Sequence, residues 1–100
     1  IKGGENISPR EIDDVLYQNS EIVEAAAFAV VCDHYGEKVE AGVVIKENSS
    51  IKEKELIEHC ASLLGVFKSP SKIHFLKELP KGSSGKIQRL KIKDIIYPAK

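Results

Sequence analysis

The 100-residue chain contains no Met, only two Cys, and no long hydrophobic run. The lack of Met, with an opening of Ile-Lys-Gly-Gly, gives the expectation of a fragment of a longer protein. Cys32 and Cys60 are too few for a disulfide framework. Each reads as a small buried hydrophobe, and a reducing, cytoplasmic setting is expected. No stretch approaches the ~18 apolar residues of a transmembrane segment, and no secretory pattern opens the chain. His34, His59 and His74 lie far apart, with neither ligand spacing nor a Cys/Asp cluster beside them, so no metal site is expected. No nucleophile stands next to an obvious base, and there is no internal repeat. These gaps leave little that looks catalytic.

What is present is one domain's worth of chain, residues 1–100, with 42% apolar residues and zero net charge. The charge is unevenly placed. Residues 1–66 carry a net of −7 and residues 67–100 a net of +7. The simplest reading pairs the two ends within the fold. Lys81, Lys86, Arg89, Lys91 and Lys93 form a basic run, but it lacks the aromatic platform or recognition helix of a nucleic-acid binder, and no nucleic acid is expected.

Helix and strand signals alternate. Ser8 as N-cap, Pro9 at the first helical position and Glu11 three residues after Ser8 predict a capping box, with Ile7 and Ile12 as a hydrophobic staple. Ile12, Val15 and Leu16 form the apolar stripe, and Asp13 and Asp14 read as its solvated side. Residues 22–31 are apolar on both alternating faces and predict a covered strand. Lys38 to Lys46 predicts a second strand, with Val39, Ala41, Val43 and Ile45 on one face. Ser50 and Glu53 suggest another capping box. Leu56, Ile57, Cys60, Ala61 and Leu64 mark a second helix ended by Gly65. Residues 72–78 predict a third strand with Ile73 and Phe75 inward. Leu90, Ile92, Ile95 and Ile96 predict a short helix ending before Pro98. The class is α+β: a small, mostly antiparallel sheet of about three strands flanked by helices, with a turn or hairpin at the start and a mobile Gly/Ser loop.

That loop is the most informative stretch: Pro80-Lys-Gly-Ser-Ser-Gly-Lys-Ile-Gln-Arg89. Gly82 and Gly85 open backbone conformations closed to other residues, and Lys86 can carry a cation to an anion outside the loop. It is not a phosphate-binding P-loop. That motif needs four residues between its glycines and Ser or Thr after the lysine, whereas two residues intervene here and Ile87 follows.

Three segments together resemble one family. Gly3-Gly-Glu-Asn-Ile-Ser-Pro-Arg-Glu-Ile12 resembles the opening of the carboxy-terminal domain of the adenylate-forming, AMP-binding enzymes. Residues 26–37 resemble that family's central strand and its Tyr-Gly-Glu turn. Pro80 to Arg89 resembles its Pro-Lys-x-x-x-Gly-Lys-(Ile/Val)-x-Arg element. The resemblance is greatest to acyl-CoA synthetases; an adenylation domain of a nonribosomal peptide synthetase, or another relative delivering to a carrier thiol, is the alternative. It implies an acid–thiol ligase of the kind found in fatty acid metabolism. A carboxylic acid attacks the α-phosphate of ATP, pyrophosphate leaves, and the thiol of coenzyme A then displaces AMP from the acyl-adenylate.

By the same resemblance Lys86 is the catalytic residue of the first step, with Gly85 permitting its approach. Gly3, Gly4 and Glu5 frame the thiol-transfer face, and Lys2 contacts phosphate. ATP and Mg2+ are held mainly by a large amino-terminal domain, the partner of this one, so the isolated fragment is expected to be inactive. Two departures are visible. A lysine that assists the second step in some members falls at Ile1, so its role does not transfer. Val31-Cys32 stand where Pro-Asp is usual.

Overall fold

The computed structural model describes residues 8–32 and 36–98. Along the chain, α1 spans Pro9–Tyr17, β1 Ile22–Cys32, β2 Gly36–Ile45, α2 Glu53–Leu64, β3 Lys72–Phe75 and α3 Arg89–Ile96. The strand order is β1-β2-β3. β1 and β2 are antiparallel, with Ala27 opposite Ala41, whereas β2 and β3 are parallel, with Ala41 opposite Ile73. An antiparallel partner can follow a short turn. A parallel one needs a crossover of a dozen or more residues, which the segment carrying α2 supplies. The class is α+β with a mixed sheet.

The sheet has two covered faces. On one, α1 and α2 lay Ile12, Val15, Leu16, Leu56 and Cys60 over Ala25, Ala27, Val39, Ala41, Val43 and Ile73. On the other, Leu79, Ile87 and Ile92 cover Ala26 and Phe28. Two covered faces explain why the middle of β1, Ala25 to Phe28, is apolar and buried on both sides rather than alternating. The run of alanines keeps both layers close. Gly42 does the same on β2, since a Cβ there would stand 2.9 Å from Ile92 Cγ2.

Several local expectations change. Ser8 is the N-cap of α1, but its side chain makes no capping bond. Its carbonyl accepts from the Glu11 and Ile12 amides instead, and Pro9 has no N–H to satisfy. The second helix starts later than Ser50 predicted. Lys52 is its N-cap, and Glu55, not Glu53, accepts the Lys52 amide at 3.1 Å. Glu53 reaches across to the Ile73 amide at 2.9 Å, tying α2 to β3. β3 ends at Phe75, which is 42% exposed. On α3 only Ile92 is fully buried and Leu90 is 78% exposed, so its stripe is narrower than four apolar residues suggested. The Ile7–Ile12 staple involves Ile7, which lies outside the described residues.

Candidate functional site

Residues 80–89 form a closed hairpin on the face covered by α3. Lys81 and Ile87 make an isolated antiparallel bridge. The Gly82 amide donates to the Lys86 carbonyl at 2.9 Å, the Gly85 amide to the Gly82 carbonyl at 2.9 Å, and the Gln88 amide to the Pro80 carbonyl at 2.8 Å. Gly85 has φ 83°, a conformation that is costly for any residue with a Cβ. This positive φ turns the chain back so that Ile87 packs on the core while Lys86 stays exposed.

The hairpin carries three cations, and two are engaged. Lys81 Nζ lies 2.7 Å from Glu24 Oε2 on β1. Arg89 is held more firmly. Its Nη2 lies 2.8 Å from Asp13 Oδ2. Its Nη1 donates to Asp13 Oδ1 at 3.1 Å and to the Ala27 carbonyl at 2.7 Å. Asp13 Oδ1 also accepts the Ala27 amide at 2.6 Å. Among the described residues nothing pairs with Lys86. Its ammonium therefore remains available to an anion from outside this fold.

Asp13 is thus a correction to the sequence reading. It is 9% exposed and bonded, not solvated. The helical wheel held the signal. At about 100° per residue, position 13 lies within about 60° of Leu16, whereas Asp14 points away from the stripe, and Asp14 is exposed. Arg89 sits in the recognised motif, but no local pattern marks a partner 76 residues earlier.

A second polar cluster lies on the α3 side of the sheet. The Glu40 side chain is 0% exposed. His74 Nε2 is 2.7 Å from its Oε1, the Tyr97 hydroxyl donates to the same atom at 2.8 Å, and Lys38 Nζ lies 3.6 Å from Oε2. Burial alone would raise the Glu40 pKa. The hydrogen bonds from His74 and Tyr97 and the positive charges of His74 and Lys38 outweigh it, leaving the carboxyl below its ordinary value. Burial, then the bond to Glu40 and its charge, push Tyr97 up. Cys60 is pushed up to about 11 by burial, as a small core thiol should be. Nearby, a groove of about 400 Å³ is lined by Lys38, Glu40, Lys72, Lys93 and Tyr97, among others. It contains none of the residues expected to act in catalysis.

Lys2, Gly3, Gly4 and Glu5 lie outside the described residues, so only Lys86 and Gly85 of the expected site are placed. No group of three or more His, Cys, Asp or Glu among the described residues could hold a metal ion.

Residues 11–86 match the family AMP-binding enzyme C-terminal domain, and the chain belongs to that family. It is 47% identical over 92 residues to the sulfoacetate–CoA ligase of Cupriavidus necator, covering 92% of this chain and 18% of that protein. It is 42% identical over 88 residues to the oxalate–CoA ligase of Saccharomyces cerevisiae, covering 88% of this chain and 16% of that protein. In three dimensions it is similar to apo MatB from Rhodopseudomonas palustris, with a TM-score of 0.89 and 31% identity over 98% of this chain and 20% of that one. The Mycobacterium tuberculosis fatty acyl CoA synthetase gives 0.86 and 30%, covering 95% of this chain and 19% of that one. The chain spans less than a fifth of the length of these two curated relatives.

Proposed function

We propose that this chain is the mobile small domain of an AMP-forming acyl-CoA synthetase, and that Lys86 is its catalytic contribution to adenylation. The observation that carries the reading is the state of the three hairpin cations: Lys81 and Arg89 are paired within the fold, and Lys86 is exposed at a glycine turn.

The chemistry needs such a group. A carboxylate oxygen attacks the α-phosphorus, the bond from that phosphorus to the bridging oxygen breaks, and pyrophosphate leaves. Two anions must approach, and negative charge builds on the phosphate oxygens. An ammonium held between them offsets the repulsion, and does so most strongly in a water-poor cleft. That cleft, the nucleotide pocket, the acyl pocket and any Mg2+ site belong to the amino-terminal partner domain. None of the described residues forms a group that fits Mg2+. In the second step the coenzyme A thiol attacks the acyl carbonyl and AMP leaves, a reaction assigned here to Gly3, Gly4 and Glu5 as framing residues, with Lys2 assigned to phosphate. Delivering Lys86 first and the glycine segment second requires a domain rotation, a gating motion of a familiar kind. Without its partner domain the chain is inactive.

The acids in the relatives' names include sulfoacetate, oxalate, butyrate and the aromatic trans-cinnamate. They form the first panel for the full-length protein with ATP. With the best of these acids, Lys86→Ala should lower pyrophosphate release about 10²–10³-fold, while thioester formation from supplied acyl-adenylate and coenzyme A stays near wild type. Equal loss of both half-reactions would remove Lys86 from the assigned role. Cytoplasmic placement rests on cysteine usage, and two relatives, from Petunia hybrida and Arabidopsis thaliana, are named as peroxisomal; cell fractionation decides between them.

A further inference from the structure

We infer that Asp13 and Arg89 are positioning residues for Lys86: a carboxylate–guanidinium clamp that fixes the hairpin to the edge of the sheet. The inference rests on the adenylation role proposed for Lys86 and adds the device that aims it.

β1 lies at one side of the three-strand order. In an antiparallel pair, alternate residues turn both backbone groups away from the partner strand. Ala27 is one of these. Its amide donates to Asp13 Oδ1 and its carbonyl accepts from Arg89 Nη1. Arg89 also holds both carboxylate oxygens of Asp13. Three elements therefore meet in one closed set of hydrogen bonds: α1 through Asp13, β1 through the Ala27 backbone, and the first residue of α3 through Arg89. The planar guanidinium is what makes this possible, because its two terminal nitrogens match the two carboxylate oxygens while one also reaches the carbonyl. A lysine ammonium supplies the charge without that fork.

Arg89 is three residues beyond Lys86, a span of at most about 10 Å of chain. Between them, Ile87 packs on the core and the Gln88 amide is bonded to Pro80. Few free torsions remain between the clamp and the Lys86 backbone. The position of Lys86 is thus referred to the sheet rather than left to a flexible loop. Charge alone does not explain the arrangement. Lys81 neutralises Glu24 on the same strand with a single contact between partly exposed side chains. The Asp13–Arg89 set is buried on the carboxylate side and combines three hydrogen bonds with one further ion-pair contact.

The test uses the full-length protein and compares Asp13→Asn, Arg89→Lys and Lys86→Ala. In Asp13→Asn the amide oxygen can still accept from Ala27, so the helix stays docked, but the guanidinium loses its charged partner. Arg89→Lys keeps the charge and loses the fork. Both should lower kcat for pyrophosphate release about 10–100-fold, the scale of a misplacement near 1 Å. The KM for ATP should stay within about twofold, and thioester formation from supplied adenylate should be spared. In both variants, hydrogen exchange at the Gly82 and Gln88 amides should rise at least tenfold while that of Val43 is unchanged, a readout that needs no substrate. Near-wild-type adenylation in both variants, with Lys86→Ala impaired, overturns the clamp and leaves the Lys86 role standing. Unimpaired adenylation in Lys86→Ala overturns that role itself. Equal loss in both half-reactions, or uniformly faster exchange across the sheet, makes the pair a general stabiliser and overturns positioning.

Discussion

The two glycines of the hairpin do different jobs, and single methyl groups should separate them. Gly85 has φ 83° with open space where a Cβ would go. Alanine there meets no atom but strains the backbone by about 1–2 kcal/mol. Gly82 has no positive φ, and its added Cβ would meet only Gln88 Nε2 at 3.0 Å, the far end of a flexible side chain. Denaturant titration should therefore show Gly85→Ala clearly destabilised and Gly82→Ala nearly neutral. Adenylation should follow the same order, since Gly85 sets the direction in which Lys86 leaves the turn. Glu40 sets a different limit. Its folded pKa is depressed, so the stability it contributes is fully present above its ordinary value of about 4.5 and fades as pH falls through the lower folded value. Melting temperature measured from pH 7 to pH 3 should drop below about pH 4.5, and Glu40→Gln should flatten the part of the drop due to this residue.

Among the elements, α3 packs tightly against Gly42 of β2. Gly42 leaves Ile92 Cγ2, Leu76 Cδ1 and Leu79 Cδ2 no room for another carbon, with distances of 2.9, 3.3 and 3.5 Å to a built Cβ. Gly42→Ala should cost about 1–3 kcal/mol by overpacking, measurable as a lower denaturant midpoint. The helices and strands themselves were legible in the sequence. The 3.6-residue stripe of α1 and the continuous apolar run of β1 each follow from local pattern. The parallel pairing of β3 was not, because local pattern does not fix which strand a later strand joins or in what direction. Neither was the burial of Glu40. It lies opposite the predicted apolar face of β2, and only the arrival of α3 and β3 converts that side into interior. The candidate site divides in the same way. Lys86 and Gly85 could be read from one contiguous motif, whereas Asp13 and Arg89 acquire meaning only when residues 76 positions apart meet.

For the molecule as a whole, the acidic first two thirds and the basic last third answer each other in part. Lys68 meets Glu11, Lys81 meets Glu24 and Arg89 meets Asp13. The sequence reading of a charge asymmetry resolved inside the fold is correct for these three pairs; Lys86, like Lys72, Lys77, Lys91 and Lys93, has no ion pair among the described residues. β1 is an eleven-residue strand, apolar except for Glu24, on the outside of the sheet, the kind of segment that templates like copies of itself into aggregates. The Tyr17 hydroxyl accepts the Ala25 amide, and Asp13 and Arg89 occupy both backbone groups of Ala27. The residues that steady the hairpin also blunt a sticky border, so loosening them would threaten solubility as well as turnover.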